Sequence, residues 1–320
     1  MPEAPPTPLF RAIAVVGAGA VGSYFGALLA LAGQRVTLVG RLAHVQVVLR
    51  QGLELQRAGG SVTTHPAATT ELAGVKGADL VLVCVKCGDT EHVARELAPW
   101  LDADALVLSL QNGVENVATL ARHLHQPVMP AVVYAATALP APGVVRHFGG
   151  GEIVVGPAGG TSAAADSRLQ AVAAVFGAAG VALRISDDVI AVLWAKLVVN
   201  CACNAISALA QASYAQMACL PAVQALQHAA LHEAVAVARA EGFALSTDTL
   251  LAAVARIAAT MPEQRSSTAQ DLARGRPTEI QYLNGHVVRR GTAHGIATPV
   301  NQALTALVQL AETTSRVQRL

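Results

Sequence analysis

Charge is what this 320-residue sequence has least of. Charged residues make up 13 % of it, against about 25 % in an average globular chain. The two signs nearly cancel, leaving a net charge of +1. No run of Lys or Arg occurs, so the electrostatic footprint of a nucleic-acid binder is missing and no nucleic-acid partner is expected. Disorder is equally excluded, because hydrophobic residues make up 53 % of the chain, enough for a large core. The surplus apolar helix surface points to an oligomer, so a homodimer is expected. Cysteine is scarce too. Cys84, Cys87, Cys201, Cys203 and Cys219 are an odd set in a long chain, not a disulfide framework, and they point to a cytoplasmic protein. Cys84-Val85-Lys86-Cys87 has zinc or redox spacing, yet no second pair or His cluster completes a site. It reads as a strand end carrying two thiols, and no metal is expected. The N-terminus lacks a basic segment followed by an apolar one, so no secretory signal is expected, and residues 1–10 read as a disordered leader.

Two uncharged stretches, 12–34 and 197–227, are long enough to raise the question of a membrane span. The first carries Gly17, Gly19, Gly22, Gly26 and Gly33; the second carries Asn200, Asn204, Ser207, Gln211, Gln216 and Pro221. Both read as core segments of a globular protein, and no membrane partner is expected.

Residues 13–16 form a short apolar run, followed by a glycine-rich turn, an apolar helix to Ala32 with Gly33 as its stop, and a β-branched run over 35–39. That is one βαβ unit. Segments 53–56 and 61–64 flank Gly59-Gly60 as a hairpin. Residues 79–85 read as a strand buried on both faces of a parallel sheet. Further strands are predicted at 105–108 and 128–133, with helices at 91–100 and 115–123. A late hairpin is predicted from 144–148 and 153–155 around Gly149-Gly150-Gly151. After about Ser186 only helices follow, over 187–211, 221–241, 247–258 and 301–313. The expected fold is α/β: a Rossmann-like dinucleotide-binding domain over 11–186, then an all-α substrate and dimerisation domain over 187–320.

Gly17-Ala18-Gly19-Ala20-Val21-Gly22 is G-x-G-x-x-G directly after a strand and opening a helix. In that context one glycine makes the tight turn, one lets backbone approach a pyrophosphate and one lets helix pack on strand. The free N–H groups and positive dipole end of the helix complete a phosphate site. After the second strand, an NAD enzyme places a carboxylate against the ribose 2′-hydroxyl. This chain has Gly40-Arg41, and a guanidinium suits a 2′-phosphate, so NADP(H) is the expected cofactor.

The segment from Trp194 to Ser207 carries polar residues at helical spacing in an apolar frame. Relative to Lys196, Asn200 lies at about +40°, Asn204 at about +80° and Ser207 at about +20° around a helix axis. One polar stripe results, lining either a polar cavity or a buried network between helices. A second patch runs from Arg265 through Ser266, Ser267, Gln270 and Asp271 to Thr278, Glu279, Asn284 and Gly285. Spacing alone does not distinguish it from a solvated loop.

Taken in order, these motifs resemble those of the ketopantoate reductase (2-dehydropantoate 2-reductase) family. The glycine turn is joined by Val85-Lys86, Gln111-Asn112-Gly113, Leu193-Trp194-x-Lys196-Leu-x-x-Asn200-x-x-x-Asn204, Ser266-Ser267-x-x-Gln270-Asp271, Thr278-Glu279-Ile-x-Tyr-x-Asn284-Gly285 and His294-Gly-Ile-Ala-Thr-Pro299. The resemblance runs from about Ile13 to Glu312. It implies Lys196 as general acid and Glu279 as the acidic group between substrate and nicotinamide, and thus a catalytic and cofactor-side residue. It implies Asn112, Asn200, Asn204 and Ser267, with Lys196, as substrate contacts. On the cofactor side it implies Lys86, Asn112 and Ala136. Tyr214 and Gln264 stand where the family pattern has Asn. The implied reaction is hydride transfer from NADPH to C2 of a small-molecule 2-keto acid, giving D-pantoate for pantothenate and coenzyme A. Two alternatives remain: a reductase of this fold for another branched or aromatic 2-keto acid, and a non-catalytic NADP(H)-sensing protein.

Overall fold

A computed structural model describes residues 10–157 and 166–317. The expected leader lies outside the described residues apart from Phe10, which is buried in the core. The chain divides into two compact units between Ile190 and Ala191.

The first unit opens with β1 (Ile13–Val16), α1 (Ala20–Leu31) and β2 (Val36–Val39). α2 (Leu42–Gln51), the hairpin β3 (Leu53–Arg57) and β4 (Gly60–Thr64), and β5 (Ala67–Thr69) follow. Then come β6 (Leu80–Val83), α3 (Thr90–Leu97), β7 (Leu106–Ser109) and α4 (Asn116–Ala121). β8 (Val128–Ala141), β9 (Val144–Val155), α5 (Ser167–Ala178) and β10 (Leu183–Ile185) complete the unit. The ten strands found among the described residues form one sheet in the order β4-β3-β9-β8-β7-β6-β1-β2-β5, with β10 on β9.

From β5 to β8 every neighbouring pair is parallel. The short β1, β6 and β7 are wholly buried because alternate residues enter opposite cores. Ile13, Val15, Leu80 and Leu82 pack with Phe25 and Phe176 from α1 and α5. Ala14, Val16, Val81 and Val83 pack with Leu97 and Leu120 on the α3 and α4 side. A strand with polar residues on one face could not occupy this central position. Gly26 matters here: a Cβ on it would meet Leu38 Cδ2 at 2.6 Å, so its absence sets how closely α1 lies on β2.

The late hairpin expected around Gly149-Gly150-Gly151 is not there. β9 runs unbroken through the three glycines and pairs antiparallel with β8, with register shifts at Tyr134/Ala135 and Ala136/Thr137. The glycines have φ of 151°, 72° and 123°. They absorb extra residues as β-bulges instead of reversing the chain. The reversal comes earlier, at Gly143 (φ 75°), between the two long strands.

The second unit is helical throughout its described residues. α6 (Val189–Ala210) begins just before the division and continues into it, followed by α7 (Tyr214–Ala218), α8 (Pro221–Ala240) and α9 (Thr247–Thr260). α10 (Ser267–Ala273), α11 (Asn284–Ala293) and α12 (Pro299–Val317) complete it. α6 is long and apolar enough to cross a membrane, but its most apolar window is mostly buried in the protein, as in a core helix. Trp194 packs against Phe243 and His286, with ring centroids 5.7 and 5.3 Å away. A buried polar strap joins four helices. Asn284 Nδ2 donates to the Cys201 carbonyl (3.0 Å) and to Asn301 Oδ1 (2.9 Å), while Asn301 Nδ2 donates to the Ala230 carbonyl (3.0 Å). The Glu233 carboxylate accepts from the N–H groups of Val300 and Asn301, capping α12.

Candidate functional site

In the first unit the expected cofactor residues gather at one edge of the sheet, because parallel strands end on the same side. The turn after β1 nests against the segment after β6. A Cβ on Gly17 (φ 99°) would lie 2.7 Å from Val85 N and 2.8 Å from the Cys84 carbonyl carbon. This is where the strand order reverses, the usual crevice of an open α/β sheet.

The turn divides its labour. Gly17 and Ala18 donate their N–H groups to the Val39 carbonyl at 3.0 and 2.9 Å, and Gly19 N–H goes back to Gly17. These three residues shape the turn. The first bond of α1 is Ser23 N–H to the Gly19 carbonyl at 2.8 Å, so Ala20, Val21 and Gly22 keep N–H groups outside the helical ladder. No side chain caps the helix, and space beside Gly19 is open where a Cβ would point. That geometry fits a pyrophosphate on the N-terminus of α1.

Gly40 lies against this turn, a Cβ there falling 2.8 Å from Ala18 Cβ. Arg41 therefore follows β2 on the same edge, exposed and at the N-cap of α2. Lys86 is exposed at the start of the 3-10 turn Cys87–Asp89, and half-buried Asn112 follows β7. Ala136 lies on β8 opposite Gly149, well past Pro130, the last β8 residue paired with β7.

Two polar clusters that hold this edge have no counterpart in the sequence reading. Gln111 Nε2 donates to the Val85 carbonyl (3.1 Å) and Thr90 Oγ1 (2.7 Å). Thr90 donates to Asn116 Oδ1 (2.9 Å), and Asn116 Nδ2 donates to the Asn112 carbonyl (2.5 Å). The loops carrying Lys86 and Asn112 are thus clamped together by buried side chains. The second cluster starts at Gly143, whose N–H donates to His44 Nδ1 at 3.0 Å. In the neutral ring that leaves Nε2–H to donate to Ser23 Oγ (3.2 Å), and Ser23 donates to the Ala18 carbonyl (3.2 Å). Burial lowers the pKa of His44 from its ordinary value, which favours this neutral form. Burial raises the pKa of the Cys84 thiol, and Cys87 Sγ donates to the Asn112 carbonyl at 3.1 Å.

In the second unit the polar stripe lies on α6. Lys196 and Asn200 are half-buried, while Asn204 is 5 % exposed. The side-chain amides of Asn200 and Asn204 have no hydrogen-bond partner among the described residues, and neither contains a fully enclosed polar atom. The polar strap between the helices is built instead from Asn284 and Asn301. Ser207 has a different task. Its hydroxyl donates to the Ala212 carbonyl (2.8 Å) and accepts from Ser266 N–H (3.1 Å).

The segment from 265 onward is not a solvated loop. Ser266 is fully buried and makes three bonds: its N–H to Ser207, its hydroxyl to the Asn204 carbonyl (3.1 Å), and the same oxygen accepting from Ala269 N–H as the N-cap of α10. Ser267 is exposed at the first position of α10 and directly follows the serine that bonds the Asn204 carbonyl. The signal in the sequence was the Ser266-Ser267-x-x-Gln270-Asp271 motif, with no helix expected there. Glu279 is 7 % exposed and begins the 3-10 turn Ile280–Tyr282, its carbonyl accepting from Tyr282 N–H at 2.8 Å. The next helix, α11, is tied to α6 through Asn284 and Cys201, one residue from Asn200. The two positions that depart from the family pattern are neighbours, Tyr214 N–H donating to the Gln264 carbonyl at 3.0 Å.

Comparison with known proteins gives consistent matches. Residues 13–160 match the family model described as ketopantoate reductase PanE/ApbA, and residues 188–312 match its C-terminal counterpart. A 2-dehydropantoate 2-reductase of Halobacterium salinarum is 38 % identical over 303 residues, covering 94 % of this chain and 98 % of that one. A crystal structure of a PanE/ApbA family ketopantoate reductase from Ralstonia eutropha superposes with a TM-score of 0.89 at 48 % identity, covering 95 % and 99 % of the two chains. A D-mandelate dehydrogenase solved with NADH and anilino(oxo)acetate reaches the same TM-score at 27 % identity, with the same coverage.

Proposed function

Because this chain belongs to the ketopantoate reductase family, and is therefore a nicotinamide-dependent oxidoreductase acting on a CH–OH group, we propose that it uses NADPH to reduce 2-dehydropantoate to D-pantoate. The observation that carries this reading is the α6 stripe, a lysine and two unpartnered amides on one helix face. A 2-oxo acid offers a carboxylate and a keto oxygen, the acceptors such donors match.

The choice of NADPH rests on Arg41, with no carboxylate after β2 to hold a ribose hydroxyl. Ala20, Val21 and Gly22 would hold the pyrophosphate by backbone N–H, and Lys86, Asn112 and Ala136 would lie along the cofactor. Bound, the dinucleotide supplies the hydride. Lys196 Nζ supplies the proton: its ammonium stabilises negative charge developing on the keto oxygen and then protonates it. Asn200, Asn204 and Ser267 orient the acid, with Asn112 and Glu279 as further contacts. The product feeds pantothenate and coenzyme A synthesis, a cytoplasmic role.

The test is NADPH oxidation with 2-dehydropantoate, run beside NADH. Rapid turnover with NADPH supports the reading; none with either cofactor removes it. A second reading, reduction of another branched or aromatic 2-keto acid, is favoured by the likeness to D-mandelate dehydrogenase. A panel of 2-keto acids separates the two.

A further inference from the structure

The buried side chains that hold the loops after β6 and β7 form a hydrogen-bonded chain with a direction. Ser109 Oγ donates to Gln111 Oε1 at 3.1 Å. Gln111 Nε2 directs its two hydrogens to the Val85 carbonyl (3.1 Å) and to Thr90 Oγ1 (2.7 Å). Thr90 Oγ1 passes its own hydrogen to Asn116 Oδ1 at 2.9 Å. Asn116 Nδ2 then donates to the Asn112 carbonyl (2.5 Å) and to Cys87 Sγ (3.5 Å), and Cys87 Sγ donates to that same carbonyl (3.1 Å). Thr90, Ser109, Gln111, Asn116 and Cys87 are all buried.

Both amides and the Thr90 hydroxyl use every hydrogen they have. Turning the Gln111 amide over would set its oxygen against the Val85 carbonyl, and turning Asn116 over would set its oxygen against the Asn112 carbonyl. The chain therefore has one arrangement, as a rigid support needs. Thr90 sits at its centre, at the first position of α3, and bonds both amides. Its hydroxyl demands nitrogen from Gln111 and oxygen from Asn116. Without it, one Gln111 hydrogen and Asn116 Oδ1 would be buried without this partner, a cost that favours turning both amides. The two ends of the chain are backbone: the Val85 carbonyl, next to Lys86, and the carbonyl of Asn112 itself.

We propose that Thr90 is a positioning residue for hydride transfer: through Gln111 and Asn116 its hydroxyl sets the main chain at Lys86 and Asn112, and with it the nicotinamide half of the cofactor. The inference rests on the reductase reading above. That reading makes Asn112 a contact of both the cofactor and the keto acid, which puts it at the reacting end of the dinucleotide. The glycine turn is shaped by other bonds, from Gly17 and Ala18 to the Val39 carbonyl. The phosphate half should therefore be held equally well without Thr90.

The experiment compares wild type with Thr90→Val, which removes the hydroxyl and keeps the shape, and Thr90→Ser, which keeps the hydroxyl. kcat is measured with NADPH and 2-dehydropantoate. Affinity is measured by calorimetric titration for NADPH and for 2′-phospho-ADP-ribose, the cofactor without its nicotinamide. Thr90→Val should lower kcat by about tenfold or more, the scale of a lost hydrogen bond or a displaced reacting group. It should weaken NADPH and leave 2′-phospho-ADP-ribose unchanged, while Thr90→Ser should match wild type. Asn116→Ala breaks the next link and should give the pattern of Thr90→Val, which keeps the test decisive if Thr90→Val does not fold. The two titrations need no substrate, so they decide the matter even if another 2-oxo acid is the one turned over. Equal weakening of both ligands, wild-type behaviour of Thr90→Val, or a Thr90→Ser as impaired as Thr90→Val overturns the proposal. Asn112→Ala separates it from the reading beneath. If that variant uses NADPH as wild type does, Asn112 is not at the reacting end, and that assignment falls together with the positioning role. If it is impaired while Thr90→Val is not, the positioning role alone falls.

Discussion

The glycine turn of the first unit and the α6 stripe of the second are built in opposite ways. The turn works through backbone: a few consecutive residues, with Gly17 avoiding a clash with the segment after β6 and Gly22 one with the Gly17 carbonyl, and three N–H groups outside the helical ladder. The stripe works through side chains that a helix of 22 residues projects in one direction. Its completion comes from Ser266 and Ser267, dozens of residues further along the chain. A backbone site is nearly finished once its local conformation forms. A side-chain site needs a second element brought to it and locked, here by one buried serine hydroxyl bonded at once to α6 and α10.

The sharpest test of that division is Lys196→Ala. If the second unit carries the chemistry, kcat should fall by at least about 10²-fold, the usual range for a general acid. NADPH affinity should be nearly unchanged, because the lost interaction is made mainly in the transition state. Steady-state kinetics with fluorescence titration of NADPH reads both, and near-wild-type turnover would remove Lys196 from the role. Arg41→Ala should do the reverse. NADPH should bind roughly 10–150-fold more weakly through loss of a charge-assisted phosphate contact, with little change for NADH. Equal losses for the two cofactors would separate Arg41 from the 2′-phosphate.

Ser266→Ala probes the lock. Removing an N-cap that also bonds the Asn204 carbonyl should cost about 1–2 kcal/mol of stability in denaturant unfolding. It should also raise KM for the keto acid while leaving NADPH affinity alone. An unchanged unfolding midpoint would show that α10 is held by other contacts.

The smallest expected effect is in the first unit and depends on pH. Burial lowers the folded-state pKa of His44 below the ordinary value of 6.5. Its contribution is therefore present above about pH 6.5 and lost as pH falls from there through the folded pKa. Protonation also removes the acceptor that Gly143 N–H uses. Thermal unfolding of wild type should weaken over that interval more steeply than that of His44→Asn. Parallel curves would leave His44 without a part in the acid response.

Legibility followed the same division. The βαβ start and the Gly17–Gly22 turn could be read from the sequence because strand, turn and helix there have short-range signatures. The α6 stripe could be read because 3.6-residue periodicity puts Lys196, Asn200 and Asn204 on one face. Gly149-Gly150-Gly151 misled because glycine permits positive φ in a bulge as readily as in a turn. The choice was made by the long β8, which pairs with β9 through the glycines. The clamp of Gln111, Thr90 and Asn116 and the His44–Ser23 bridge had no sequence signature, since each joins residues from separate elements.

What the sequence determined by itself was therefore whatever depends on neighbours within a turn or two: the βαβ start, the buried strands at the sheet centre, the glycine-rich turn and the polar face of α6. Tertiary structure alone decided which hydroxyl locks that face and which loops hold Lys86 and Asn112. Local conformation is set by backbone sterics and periodicity, which the order of residues encodes directly. Long-range hydrogen bonds depend on distances that exist only once the packed elements have met.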